Sequence, residues 1–144
     1  MKSLFDHEKL DVYREAISFC AWVGAFLETI SSKTAAKDQL DRASTSIPLN
    51  IAEGNGKFSQ RDRARFLEMA RGSALESAAC LDVLVARRFT TPENVLPAKE
   101  NLVRIVQMLI GLLKRFSERT NVLREDAAED GVEHDYDHEQ EHEK

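Results

Sequence analysis

The sequence contains few of the residues that interrupt helices or build metal and disulfide sites. It has only six glycines and three prolines in 144 residues, and long stretches without either residue favour helices over many short strands. Its two cysteines, Cys20 and Cys80, lie in apolar stretches, and neither belongs to a CxxC motif. Two such thiols cannot form a zinc site alone, and we interpret them as buried side chains of a protein in a reducing compartment.

Long apolar runs are also missing. The first ten residues, MKSLFDHEKL, have no apolar stretch after the first lysine, so we expect no secretory signal. The longest apolar runs fall far short of the ~20 residues that a helix needs to span a bilayer. The sequence therefore predicts a cytoplasmic protein with no membrane partner.

Charge is distributed unevenly along the chain. The whole chain has a net charge of −5, yet residues 125–144 contain ten acidic residues and a single lysine, which leaves 15 acidic and 19 basic residues, a balance of +4, over residues 1–124. The acidic segment has too few apolar residues to offset the entropy lost on ordering. We therefore expect one folded domain over residues 1–122 and a disordered, acidic, His-containing tail over residues 123–144.

Four amphipathic segments predict an all-α protein, an antiparallel up-and-down four-helix bundle. We expect helices near residues 6–31, 35–53, 59–88 and 91–121. The inward stripe predicted for the first helix is Leu10, Tyr13, Ile17, Cys20, Gly24, Leu27 and Ile30. Pro48 predicts a kink in the second helix, and the Gly54–Gly56 segment predicts a left-handed end to it. Ser59, three residues before Asp62, predicts the N-cap of the third helix.

Basic residues concentrate near the start of the third predicted helix. They are Lys57, Arg61, Arg63 and Arg65, with Arg42 on the second helix. The planar guanidinium of arginine suits phosphate, and a helix N-terminus adds exposed amides. This group predicts nucleic-acid binding, although Phe58 is the only nearby aromatic on which a base could stack. The alternative interpretation is a solvated helix face with ion pairs to neighbouring carboxylates.

Asn50, Glu53 and Arg71 are the polar residues that the helical spacing places nearest the interior. A catalytic interpretation is disfavoured, because a carboxylate with no neighbouring His, Cys or second acid has no partner for acid–base chemistry. We expect instead that Glu53 pairs with Arg71 and fixes how the second and third helices pack. The sequence accordingly predicts a protein that is not an enzyme and that has no cofactor.

Three histidines of the tail, His134, His138 and His142, recur every four residues among acidic side chains. On a helix this spacing would place them on one face, where nickel or zinc binding is chemically reasonable. We favour the simpler interpretation of a disordered acidic tail without a metal site.

Two segments carry a resemblance to a known family. They are QLDRASTSIPLNIAEGNGK at residues 39–57 and FLEMARGSALE at residues 66–76. Together they resemble the bacterial four-helix-bundle family of the 23S ribosomal RNA intervening-sequence protein, which includes the accessory variability protein of diversity-generating retroelements. The resemblance extends from about Leu10 to about Phe116, and the acidic tail lies outside it.

The resemblance implies properties that the residue pattern does not show. Members of the family look like four-helix bundles that assemble into a ring-shaped homopentamer. The retroelement members bind nucleic acid and a reverse transcriptase through basic surface residues. The name of the intervening-sequence members describes the genomic place of their reading frames and not an activity.

The sequence therefore predicts a non-enzymatic, oligomeric bundle that binds RNA or DNA through a basic surface. The broad apolar face of the fourth helix and the small residues of the third predict a surface buried between subunits. The alternative function is a structural interaction module for a protein partner, such as a retroelement reverse transcriptase.

Overall fold

The computed structural model describes residues 2–129, with the backbone alone beyond residue 116. A short 3-10 helix, Asp6–Lys9, precedes four α-helices. These are α1 (Asp11–Glu28), α2 (Ala35–Asn55), α3 (Gln60–Ala86) and α4 (Pro92–Glu129). Within the described residues there is no β-strand.

Each helix packs against the next one along the chain, and α1 packs against α4 to close the bundle. The most extensive contact joins α2 and α3. Because the connections between consecutive helices are short, neighbouring helices run antiparallel. The prediction of an all-α, up-and-down four-helix bundle is confirmed.

The buried face of α1 differs from the predicted stripe. Its buried side chains are Val12, Ala16, Phe19, Val23 and Phe26, whereas the predicted Ile17 is 45% exposed. This helix is apolar on more than one side, so two neighbouring stripes fit the helical period equally well. The large rings of Phe19 and Phe26 occupy the interior, and both stack on Trp22.

Pro48 lies inside α2, and the helix continues through it. A proline has no N–H to donate, so the carbonyl of Ser44, four residues earlier, loses its helical partner. The thiol of Cys20 on α1 donates to this carbonyl, with 3.2 Å between Sγ and the oxygen. A side chain of the neighbouring helix thus replaces the missing backbone donor.

The ends of α2 and α3 partly follow the sequence prediction. The Ser59 hydroxyl accepts the backbone N–H of Asp62 at 3.1 Å, which confirms the predicted N-cap of α3. The predicted left-handed end of α2 is wrong, because α2 runs through Asn55 and Gly56 has a right-handed φ of −84°. The left-handed residue is instead Arg88, with φ of 65°, just beyond α3.

Helix α4 begins at Pro92 as predicted and passes Pro97 without interruption. It continues to Glu129, beyond the predicted end near residue 121, because this segment is rich in Leu, Arg, Glu and Ala, which are strong helix formers. The remaining tail, with His134, His138 and His142, lies outside the described residues.

Candidate nucleic-acid interface

The loop between α2 and α3, residues 56–59, is held by hydrogen bonds at both ends. The N–H of Lys57 donates to the carbonyl of Gly54 at 3.1 Å. The Nε of Arg63 donates back to the carbonyl of Lys57 at 2.7 Å, and its backbone N–H donates to the carbonyl of Ser59 at 3.1 Å. The loop backbone is therefore fixed on the first turns of α3.

Two cations of the predicted group lie against one aromatic ring. The Nζ of Lys57 is 4.9 Å from the centroid of the Phe66 ring, and the guanidinium carbon of Arg65 is 5.2 Å from it. Both distances fall within the ~6 Å range in which a ring attracts a cation. The Phe66 ring thus contacts two positively charged side chains at the start of α3.

Gly54 allows Phe66 to reach this position. A Cβ atom added at Gly54 would lie 2.9 Å from the Cβ of Phe66 and 3.3 Å from the carbonyl oxygen of Arg63. Only glycine permits so close an approach of α2 to α3. The location of the two cations therefore depends on a backbone contact between the two helices.

The structure brings four of the five predicted basic residues together. Arg61 and Arg65 are exposed and lie four residues apart on one face of α3. Arg63 is half-buried, and its hydrogen bond to the Lys57 carbonyl holds the loop against α3. We call Lys57, Arg61, Arg63 and Arg65 the basic surface. The exposed carboxylate of Asp62 lies among them and reduces the local positive charge.

Arg42 is separate from the basic surface. It lies thirteen residues before the end of α2, which at 1.5 Å per residue corresponds to about 20 Å along the helix. Its guanidinium donates to Gln39 at 2.9 Å, and Gln39 in turn bonds Glu76 of α3. Because α2 and α3 run antiparallel, the first half of α2 lies beside the second half of α3, away from the loop.

The predicted pairing of Glu53 with Arg71 is replaced by a pair within α3. Arg71 donates to both carboxylate oxygens of Glu68, at 2.7 and 3.1 Å, and Glu53 is exposed on α2. These hydrogen bonds to Glu68 raise the pKa of Arg71 above its ordinary value. Residues three apart on one helix are already neighbours, so this pair forms without spanning two helices.

Serine side chains make the polar link between α2 and α3 that was predicted for Glu53 and Arg71. The hydroxyls of Ser46 and Ser73 are 2.8 Å apart across the two helices. Asn50 is half-buried as expected, and its amide donates to the Ser46 hydroxyl and carbonyl at 2.9 and 3.0 Å. The i, i+4 spacing of Ser46 and Asn50 places these two side chains together on α2, whereas the contact with Ser73 follows only from the packing of the two helices.

Two other kinds of site are absent from the part of the chain that the structure describes. No group of three or more His, Cys, Asp or Glu side chains there is arranged to hold a metal ion. No helix in that part is both long and apolar enough to cross a membrane.

Comparison with solved structures supports the fold. A crystal structure of a Bacteroides thetaiotaomicron protein of unknown function, from the S23 ribosomal protein family, superposes with a TM-score of 0.68 at 23% identity. The match covers 72% of this chain and 98% of that one. A comparison with curated proteins found no match. The family model of the 23S rRNA-intervening sequence protein matches residues 8–111, and the chain therefore belongs to this family.

Proposed function

We propose that this protein is a non-enzymatic, oligomeric four-helix bundle that binds nucleic acid, RNA or DNA, through its basic surface. The observation that carries the proposal is the pair of cations, Lys57 and Arg65, held against the ring of Phe66 at 4.9 and 5.2 Å. Both side chains are positively charged, and a phosphate bound beside Phe66 would be attracted to each of them.

Two features of the basic surface suit the phosphates of a nucleic-acid backbone, and the family resemblance agrees with them. Arg65 and Arg61 present planar guanidinium groups that can contact phosphate oxygens in pairs. The surface lies at the N-terminus of α3, a helix of 27 residues, where the helix dipole favours an anion. The resemblance to a family that includes the accessory variability protein of retroelements implies the same use of basic surface residues.

Association into a ring, a homopentamer by the same resemblance, strengthens the proposal. The charge of +4 over residues 1–124 is modest for one subunit. Several copies would multiply this charge and concentrate it on one surface.

We also place the protein in the cytoplasm, a location supported by the two free thiols of Cys20 and Cys80.

The test compares the intact protein with a variant in which Lys57, Arg61 and Arg65 are replaced by alanine. A matched control replaces Lys33, Arg42 and Arg87, which are exposed elsewhere on the bundle. Fluorescence anisotropy is measured with structured RNA and duplex DNA at low and physiological salt, after all three proteins are shown to be folded and equally oligomeric.

We expect the first variant to bind at least ten-fold more weakly and the control to bind nearly as the intact protein does. The salt slope should fall by roughly one unit for each phosphate contact that the substitutions remove. Equal affinity of the two variants, or no binding by the intact protein at low salt, would reject the proposal. A protein partner, such as a retroelement reverse transcriptase, would then be the favoured alternative.

A further inference from the structure

Phe58 lies in the middle of the α2–α3 loop, and its side chain is 100% exposed. A single exposed apolar residue is ordinary on a protein surface. Phe58 differs because it directly follows Lys57 and precedes the first turns of α3, which contain Arg61 and Arg65. A free aromatic face and a set of cations are therefore presented by the same short segment.

The backbone on both sides of Phe58 is fixed, so the ring projects from a defined position. Before it, the N–H of Lys57 bonds Gly54 and the carbonyl of Lys57 accepts from Arg63 at 2.7 Å. After it, Ser59 caps α3 through the N–H of Asp62. A ring on a fixed loop loses little conformational entropy when a ligand stacks on it.

We propose that Phe58 is a stacking platform for an unpaired base and that the basic surface selects single-stranded or looped nucleic acid over duplex. This inference depends on the nucleic-acid binding proposed above. In a duplex, both faces of a base are covered by its neighbours, whereas an unpaired base offers its face to an aromatic ring. The phosphates that flank such a base would lie on the cations beside Phe58.

The class of ligand follows from this chemistry. Every base has a π-face, so stacking on one ring tolerates many sequences. RNA and DNA share the unpaired base and the phosphate, and they differ in the 2′-hydroxyl. The ligand class is therefore an unpaired strand, loop or end, and the experiment compares RNA with DNA directly.

The experiment measures binding of labelled oligouridine, oligothymidine and a duplex DNA by anisotropy. It uses the full-length protein and three variants, Phe58→Ala, Phe58→Leu and Phe58→Tyr. Leucine keeps an apolar side chain without a π-face, and tyrosine keeps the ring. Because Phe58 is fully exposed, all variants should fold, which circular dichroism verifies.

We expect the alanine and leucine variants to bind both single strands about ten-fold more weakly or worse, since base stacking is worth about that much. The tyrosine variant should bind as the intact protein does, and duplex binding should change less than two-fold. The salt slope should stay the same, because no phosphate contact is removed.

Unchanged single-strand binding by Phe58→Ala, an equal loss on duplex, or full affinity of Phe58→Leu would overturn the stacking role and leave the proposed function standing. Absence of binding by the intact protein to every probe at low salt would overturn both.

Discussion

At the scale of single residues, Cys20 and Pro48 act as a pair. Pro48 removes the donor that the buried Ser44 carbonyl would have within α2, and the Cys20 thiol supplies one from α1 at 3.2 Å. A thiol is a weak donor, yet a buried carbonyl with no donor costs about 1–3 kcal/mol. The thiol therefore has a structural role in addition to its packing.

Replacing Cys20 by alanine should lower the free energy of unfolding by about 1–3 kcal/mol, because the Ser44 carbonyl would lose its donor. Cys20→Ser keeps a donor of similar size and should lose less. Urea denaturation of the two variants and the intact protein measures the difference. An equal loss in both variants would show that the hydrogen bond does not matter.

The difference in stability between the intact protein and these variants also depends on pH. Burial, followed by the nearby charge of Asp41, raises the pKa of the Cys20 thiol in the folded protein. The folded state then keeps its proton at a pH where the unfolded thiol, with an ordinary pKa of about 8.5, has lost it. The protonated thiol therefore contributes its full stability below the pKa of the unfolded thiol, and this contribution declines as the pH rises above it. The intact protein should accordingly lose more stability than Cys20→Ser between neutral and alkaline pH.

At the scale of the helix, the end of α3 has an unusual residue in a common motif. The N–H of Phe89 donates to the Leu84 carbonyl and the N–H of Arg88 donates to the Val85 carbonyl, both at 3.0 Å. This is the Schellman arrangement, in which glycine normally takes the left-handed position. Here Arg88 takes it, with φ of 65°.

The substitution Arg88→Gly should raise the free energy of unfolding by about 0.5–1 kcal/mol. A side chain in the left-handed region costs about 1 kcal/mol, which glycine avoids. The greater freedom of glycine in the unfolded state offsets part of this gain. Arg87→Gly is the control, since Arg87 has φ of −87° and gains nothing from glycine. Thermal and urea denaturation check both, and a loss of stability in Arg88→Gly would contradict the expectation.

The sequence predicted helices better than it predicted which of their faces meet. The four helices follow from apolar spacing, the Ser59 cap and the scarcity of glycine and proline. The buried face of α1 did not follow, because only contact with α2 and α4 decides between Phe19 and Ile17 as the inward residue. The role of Gly54 was missed for the same reason, since the close approach of Phe66 to it is a contact between helices.

The basic surface was predictable for a similar reason. Lys57, Arg61, Arg63 and Arg65 are close in sequence, so a loop and one helix start keep them near one another, and the packing of α2 on α3 only refines their positions. Arg42 is distant in sequence, and its place depends on the antiparallel register of α2 and α3. The Arg71 partner was missed because two carboxylates, Glu53 and Glu68, were within reach and only the folded geometry selects one.

At the scale of the whole molecule, an apolar patch lies on the outer face of α3 and α4. It comprises Leu75, Val103 and Ile110, which are 50%, 54% and 36% exposed. The ion pair between Lys99 and Asp82, at 2.5 Å, shows which residues of the two antiparallel helices lie level with each other. At 1.5 Å per residue, Leu75 then lies level with about residue 106, between the other two. Such a patch suits contact between subunits.

Introducing charge with Val103→Glu and Ile110→Glu together should dissociate the proposed oligomer, because two carboxylates would be buried between subunits. Light scattering should then give a mass near 16.3 kDa. The control is Leu49→Glu, which changes an apolar residue of α2 that is 62% exposed and should keep the oligomer. A mass near 16.3 kDa for the intact protein at micromolar concentration would contradict oligomerisation itself.

The contact between Gly54 and Phe66 has a consequence for how strongly the basic surface can bind. Long basic side chains on a typical surface move freely and lose ~2 kcal/mol of rotamer entropy each when a ligand fixes them. Lys57 and Arg65 are already restrained against a ring whose place is set by backbone packing. Part of the ordering that binding normally requires is thus completed when the bundle folds, and each phosphate contact can contribute more to affinity than the same contact on a free side chain.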